Sequence, residues 1–114
     1  MIVEQRIYTL YPGNHQNYLK LYEEEGLDIQ LEILGTLLGY YYTDIGNLNQ
    51  IIHMWGYESL NERNIRRKKL FDNKKWLSYI DKVRPLILKQ ENQIMFPAPF
   101  FEPKGINLSS HNNI

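Results

Sequence analysis

The stretch LLGYYYTDIGNLNQIIHMWGY, residues 37–57, predicts the central β-hairpin of the fold. Two runs within it, residues 37–43 and 50–57, are rich in the aromatic and β-branched residues that favour strands. Gly46-Asn47 lies between the runs, and such a pair is typical of a tight turn between antiparallel strands. We therefore expect two neighbouring antiparallel strands joined by a short loop.

The length of that loop decides which side chains face each other across the hairpin. An even loop centred on Gly46-Asn47 gives the facing pairs Tyr40 with His53, Tyr42 with Ile51, and Leu38 with Trp55. An odd loop would bring Tyr41 to the face of His53 instead, because side chains alternate along a strand. The sequence leaves both registers open.

The residues before the hairpin predict a strand followed by a helix. Residues 2–10 are rich in Val, Ile, Tyr and Thr and form the first strand, which Pro12-Gly13 ends. Asn14 can cap the helix that follows. Residues 27–34 fit two structures, because their alternation suits a strand while three leucines among them also lie on one helical face.

The residues after the hairpin predict two helices and a last strand. Ser59 and Glu62 form a capping box, in which the serine caps a helix that runs to about Phe71. A second apolar stripe at helical spacing follows, and Pro85 ends or kinks its helix. Residues 91–96 form a strand that ends before a proline-rich stretch. The stripe of the second helix consists of Trp76, Leu77, Ile80 and Val83.

The order β-α-β-β-α-β predicts an α+β fold of the ferredoxin-like class. Two helices then cover one face of a four-stranded antiparallel sheet, and the other face needs a cover. We assign residues 1–100 to this domain. Residues 101–114 form a polar C-terminal tail with too few apolar residues to fold alone.

The composition narrows the class of protein. The chain has 114 residues, enough for one domain, and its 13 Lys plus Arg balance 13 Asp plus Glu, which argues against a dedicated nucleic-acid binder. It contains no cysteine, so disulfides and Cys-ligated metals are excluded. The first residues, MIVEQRIYTL, do not resemble a signal peptide, and no apolar run has the length of a membrane span. We expect a cytoplasmic protein with no metal site, cofactor, nucleic-acid partner or membrane span.

The zero net charge conceals two opposed parts of the chain. Up to Glu58 there are two basic and eight acidic residues, whereas the remainder has eleven basic and five acidic residues. Such an asymmetry can create acidic and basic surfaces that favour self-association or an oriented partner. The alternative is that separate helices carry opposite charges on solvated faces. Complementary packing of the two helical regions, within or between protomers, explains the asymmetry best.

Several segments match a known family in one order along residues 2–100; they include Arg6-Ile7-Tyr8-Thr9-Leu10, Leu21-Tyr22-Glu23-Glu24-Glu25-Gly26-Leu27, Ile45-Gly46-Asn47-Leu48-Asn49-Gln50, His53-Met54-Trp55-Gly56-Tyr57-Glu58-Ser59-Leu60 and Val83-Arg84-Pro85. Together these segments resemble the NIPSNAP family. The resemblance implies a homodimeric α/β barrel, in which two ferredoxin-like sheets face each other and so cover the second sheet face. Proteins with this fold include cofactor-independent monooxygenases and haem-binding barrels, and animal family members are associated with vesicle transport and mitochondria, but fold does not fix function.

A set of aromatic and polar residues on the central strands is the candidate site. The odd-numbered residues of the second hairpin strand, Ile51 to Tyr57, share one face, and the even-numbered ones, Ile52 to Gly56, share the other. We expect the even-numbered set, which is smaller and more apolar, to meet the helices, so that the odd-numbered set faces the dimer partner. The predicted ligand-binding residues are Arg6, Tyr8, Tyr40, His53, Trp55 and Tyr57.

These residues suggest a pocket for a small apolar or aromatic molecule, in which His53 is a candidate general base. The alternative is a satisfied polar and aromatic dimer core. A cavity well below the roughly 300 Å³ typical of ligand sites would count against the pocket. Two other hypotheses are a protein-interaction or scaffold module that uses the opposed charged faces, and an enzyme similar to the cofactor-independent monooxygenases.

Arginines on the capped helix form a second candidate site. Arg63 and Arg67 lie one above the other, four residues apart, with Arg66 adjacent. Their guanidinium groups could hold a phosphate or a carboxylate. The alternative is that all three are exposed and only pack their aliphatic stems over neighbouring apolar residues.

Overall fold

The computed structural model describes residues 1–112, which form one four-stranded sheet with helices packed against one face. A π-helical turn, Tyr22–Gly26, joins the first two helices, and a 3₁₀ turn, Arg84–Leu86, leads into the last strand. The strands are β1 (Ile2–Leu10), β2 (Thr36–Tyr42), β3 (Gln50–Tyr57) and β4 (Ile87–Met95). The helices are α1 (His15–Leu21), α2 (Leu27–Leu34), α3 (Leu60–Phe71), α4 (Lys74–Val83) and α5 (Leu108–Asn112).

The strand order across the sheet is β2-β3-β1-β4, and all neighbouring strands are antiparallel. This arrangement is ferredoxin-like, so the predicted fold class is confirmed. The last strand begins earlier than the predicted residue 91, because β1 continues to offer backbone partners as far as the pair Leu10 and Ile87. The predicted position of this strand is therefore right and its predicted length is too short.

The hairpin register follows the even-loop prediction for two of its three pairs. Tyr40 faces His53 and Tyr42 faces Ile51. The pairing of Leu38 with Trp55 is wrong, because the ladder shifts between residues 37 and 39 and places Leu37 opposite Trp55. The predicted tight turn is also longer than two residues, since Thr43 and Gln50 hydrogen bond to each other and close the loop 44–49.

Residues 27–34, which the sequence left between helix and strand, form α2. As a helix, this segment buries both Leu31 and Leu34 in the core, whereas in a strand the two side chains would point to opposite faces. Gly35 ends the helix with a φ of 97°, a conformation that glycine adopts without steric cost.

The prediction that the odd-numbered face of β3 points away from the helices is wrong. Ile51, His53, Trp55 and Tyr57 are almost completely buried, and the three apolar ones belong to the core between sheet and helices. Ile52 and Met54, on the other face, are not part of that core. Long and aromatic side chains are needed to fill the layer between a sheet and its helices at protein packing density, and the smaller set would leave it underfilled.

The C-terminal tail is held against the edge of the sheet. Ile106 exchanges two backbone hydrogen bonds with Leu37 of β2, at 2.8 and 2.9 Å between nitrogen and oxygen. A Cβ on Gly105 would collide with the carbonyl oxygen of Leu37, so a glycine is required at this crossing. The imidazole of His111 lies 3.7 Å from the carboxylate of Asp28 on α2. Pairing with the β2 edge supplies the order that the tail's own sequence lacks.

Candidate functional site

A cavity of about 130 Å³ lies between the sheet and the helices. Arg6 and Tyr8 of β1 and His53 of β3 contribute to its sheet side. Three predicted ligand-binding residues therefore line the cavity, whereas the other three, Tyr40, Trp55 and Tyr57, do not. The helices and the two helical turns contribute further residues, among them Tyr18, Tyr22, Arg67, Trp76, Tyr79 and Arg84.

His53 lies on the cavity wall in a fixed protonation state. Nε1 of Trp55 donates a 2.9 Å hydrogen bond to Nδ1 of His53, and an indole N–H can only donate, so Nδ1 carries no proton. Burial, and then the positive charge of Arg6, lower the pKa of His53 to about 3. The imidazole is therefore neutral at pH 7 and carries its proton on Nε2.

Two tyrosines hold the His53 ring from its sides. Tyr40 stacks on it with the ring centroids 4.8 Å apart, and Tyr8 meets it edge-on at 5.0 Å. Tyr40 also stacks on Tyr22 at 4.5 Å, and its hydroxyl lies 3.0 Å from that of Tyr18. Tyr40 and Trp55 thus contact and orient the His53 ring, although neither of them lines the cavity.

A buried carboxylate, which the sequence pattern did not single out, anchors the site to the sheet. Glu4 is fully buried and accepts hydrogen bonds from Arg63 at 2.6 and 3.2 Å, from Arg6 at 3.1 Å and from Asn92 at 3.0 Å. Burial alone would raise the pKa of Glu4, but the hydrogen bonds from Arg63 and Asn92 and the charge of Arg6 lower it to about 2. A signal was present, since Glu4 shares one strand face with Arg6 and Tyr8.

Two of the α3 arginines that were predicted to hold a phosphate or a carboxylate have different surroundings. Arg63 grips the internal carboxylate of Glu4 with two nitrogen atoms. Arg67 lines the cavity, where its guanidinium carbon lies 5.5 Å from the ring centroid of Phe71. It makes no ion pair or hydrogen bond with any residue in the described part of the chain. Burial and the charge of Arg6 lower the pKa of Arg67.

Three residues of the cavity wall carry buried polar atoms without a hydrogen-bond partner within residues 1–112. The atoms are Nε2 of His53, Nε1 of Trp76 and the hydroxyl of Tyr79. Buried polar atoms of native proteins are normally satisfied, so each such atom needs an explanation. Trp76 and Tyr79 were missed as site residues, because a helical stripe with tryptophan and tyrosine is equally typical of a core.

The described residues offer no cluster of three or more His, Cys, Asp or Glu side chains that could hold a metal ion. Within the same residues, no helix is both long and apolar enough to cross a membrane.

The fold is shared with distant proteins. A putative antibiotic biosynthesis monooxygenase from Nitrosomonas europaea superimposes with a TM-score of 0.63 over 88% of this chain and all of the other, at 8% identity. Another structure described as an antibiotic biosynthesis monooxygenase gives a TM-score of 0.60 at 13% identity over 87% of this chain and all of the other. At such identities the likeness shows a common fold alone.

Closer matches share both fold and sequence. A NIPSNAP-like domain protein from Burkholderia xenovorans is 43% identical, with a TM-score of 0.89 over 93% of this chain and 92% of the other. A NIPSNAP family protein from Agrobacterium tumefaciens is 51% identical, with a TM-score of 0.86 over 88% of both chains. NipSnap homolog 1 of Danio rerio is 31% identical over 102 residues, which are 84% of this chain and 34% of the zebrafish protein.

The family model agrees with these matches. The chain spans only about a third of the length of the zebrafish relative, so what is known of that whole protein does not transfer to this chain. The NIPSNAP model matches residues 3–102, which include β2 to β4, all of β1 except Ile2, and all the residues of the candidate site. The chain therefore belongs to the NIPSNAP family.

Proposed function

We propose that this protein binds a small organic molecule in the cavity between its sheet and helices. The observation that carries the proposal is the set of three buried, unpartnered polar atoms on His53, Trp76 and Tyr79, all of which are cavity-wall residues. A bound molecule that hydrogen bonds to these atoms would remove the cost of leaving them unsatisfied.

The volume of the cavity restricts the size of the ligand. At about 130 Å³ it is smaller than the roughly 300 Å³ typical of ligand pockets, which counts against a large apolar ligand. An engineered cavity of about 150 Å³ is nevertheless large enough to bind benzene. The site therefore suits a molecule of about one six-membered ring, flanked by the rings of Tyr8, Tyr22 and Trp76.

The two tryptophans provide the experiment. Trp55 and Trp76 should give two indole signals in a ¹⁵N-labelled spectrum, and a Trp76→Phe variant assigns them. A library of ring-sized fragments should contain binders that shift the Trp76 signal. Ile80→Phe, which fills the cavity, should abolish these shifts, whereas Leu77→Phe on an exposed face of the same helix should not. If no fragment shifts either signal, the proposal is wrong.

We also propose that the protein acts as a homodimer. Ile7, Ile52 and Met54 lie on the sheet face opposite to the helices, outside the core of the protomer. An apolar sheet face is normally covered, and the family resemblance implies that the sheet of a second copy covers it. This proposal replaces the His53-containing interface that the sequence suggested with the opposite sheet face, which has apolar residues at its centre and polar ones such as Glu91 and Gln93 on the edge strand.

The charge asymmetry supports packing within the protomer more than a scaffold function. Lys82 of α4 lies 2.8 Å from Glu25, and Arg63 of α3 binds Glu4, so basic residues of the second part meet acidic residues of the first. We propose no reaction, since His53 would have to lose its hydrogen bond from Trp55, or the proton on Nε2, before it could act as a general base.

A further inference from the structure

We infer that the ligand of the cavity is a small carboxylate whose organic part is a planar ring. The inference rests on the proposed function and names the chemical class of the molecule bound at that site. Three features of the cavity wall support it: its charge, the polarity of its unpartnered atoms and its apolar remainder.

The charge of the wall is positive. Arg6, Arg67 and Arg84 line the cavity, and no Asp or Glu does so in the described part of the chain. Glu4 compensates Arg6 through a 3.1 Å ion pair. Arg67 is also attracted by the charge of Glu4 but makes no ion pair with it, and its guanidinium carbon lies 5.5 Å from the ring centroid of Phe71. An anion in the cavity would compensate Arg67, and a guanidinium group binds a carboxylate through two parallel hydrogen bonds.

The unpartnered atoms of the wall are donors. His53 carries its proton on Nε2, because Trp55 occupies Nδ1, so Nε2 offers an N–H and no lone pair. The indole nitrogen of Trp76 can only donate, and the hydroxyl of Tyr79, which has the Tyr18 side chain as a neighbour, can donate as well as accept. A molecule that complements this set must offer several acceptors and needs no donor. A carboxylate has this pattern, whereas an amide or an alcohol also brings donors.

The remaining wall is apolar and distinguishes an organic acid from an inorganic anion. Phe71, Ile80, Val83 and Ile87 line the cavity together with the aromatic rings. Phosphate or sulfate would leave these side chains against a fully charged ion with no apolar part, which is an unfavourable contact. A carboxylate attached to a ring places its charge at the arginines and its ring against the apolar residues.

Benzoate and benzamide form the first experimental pair, because they have the same size and differ in charge and in donor groups. We expect benzoate to shift the indole signal of Trp76 saturably, and benzamide to bind at least about tenfold more weakly. Inorganic phosphate should bind more weakly than benzoate as well. Equal binding of benzoate and benzamide would overturn the inference while leaving the proposed small-molecule site intact.

Arg67 and Lys68 form the matched pair of variants. Arg67→Gln should weaken benzoate binding about tenfold or more and leave benzamide binding unchanged. Lys68→Gln removes the same charge from the next residue of α3, whose side chain is 82% exposed, and should leave both affinities unchanged. Unchanged benzoate affinity in Arg67→Gln would overturn the inference. The inference also fails if formate, acetate and benzoate all leave both indole signals unmoved while neutral fragments shift them.

Discussion

Trp55 donates a hydrogen bond of 2.9 Å to His53, two residues earlier on the same face of β3. The bond satisfies the indole N–H of Trp55 and Nδ1 of His53, and it selects the histidine tautomer with a proton on Nε2. Trp55 therefore determines the hydrogen-bonding character of the cavity wall, although it is not one of the lining residues.

Replacing Trp55 should cost more stability than replacing Trp76. Trp55→Phe leaves Nδ1 of His53 buried without its donor, which costs about 1–3 kcal/mol in addition to the lost packing volume. Trp76→Phe removes an N–H that has no partner within residues 1–112, so its hydrogen-bond cost is absent. Urea unfolding of both variants measures the difference, and equal losses would contradict the assigned hydrogen bond.

Acidification should begin to destabilise the protein at a pH well above the pH range in which carboxylates titrate. The unfolded chain binds a proton at His53 below pH 6.5, while the folded protein does not until about pH 3. The free energy of unfolding should therefore fall by about 1.4 kcal/mol per pH unit once the pH is below 6.5. Below pH 4.5, Glu4 adds to the slope, because its folded pKa is about 2.

A His53→Asn variant tests the assignment of that slope. The asparagine oxygen can still accept from Trp55 but does not titrate, so the slope between pH 6.5 and 4.5 should decrease by one proton while the Glu4 component below pH 4.5 remains. Denaturant unfolding at a series of pH values measures both parts. An unchanged upper slope would mean that His53 is not held neutral by the fold.

The hairpin and its register at His53 could be predicted from the sequence, but the face that it buries could not. Tyr40 faces His53 because Gly46-Asn47 lies at the centre of an even loop. Both faces of β3 contain large apolar residues, Trp55 on one and Met54 on the other, so alternation alone does not say which one meets the helices. The helices decide it, because they require the larger rings.

The cavity could not be predicted from the hydrophobic periodicity of the sequence either. Arg67 and Trp76 belong to two different helices. An apolar stripe predicts which face of a helix is buried, but it does not predict how far the helix lies from the sheet. The role of Glu4 depends on Arg63, which is 59 residues away in the chain. Long-range pairings of this kind follow from the fold and are not encoded in any local spacing.

Replacing Arg63 and replacing Arg67 should affect stability differently, although the two residues are one helical turn apart. Arg63→Gln removes an ion-pair partner from the buried carboxylate of Glu4, which should cost about 3 kcal/mol. Arg67→Gln removes a partly desolvated charge that has no ion pair in the described part of the chain, so stability should stay constant or rise. Urea unfolding distinguishes the two, and a large loss in Arg67→Gln would show that the charge has a structural role.

A charge on the open sheet face should produce monomers without unfolding the protomer. Met54→Glu places a carboxylate at the centre of the proposed interface, where it would be buried without a partner and would oppose its symmetry mate. Leu77→Glu is the matched control, because Leu77 is 41% exposed on α4, which packs against the other face of the sheet. Sedimentation at micromolar concentration should show dimers for the wild type and for Leu77→Glu and monomers for Met54→Glu, while circular dichroism stays the same. A monomeric wild type would refute the dimer directly, and a dimeric Met54→Glu would place the interface elsewhere on the protomer.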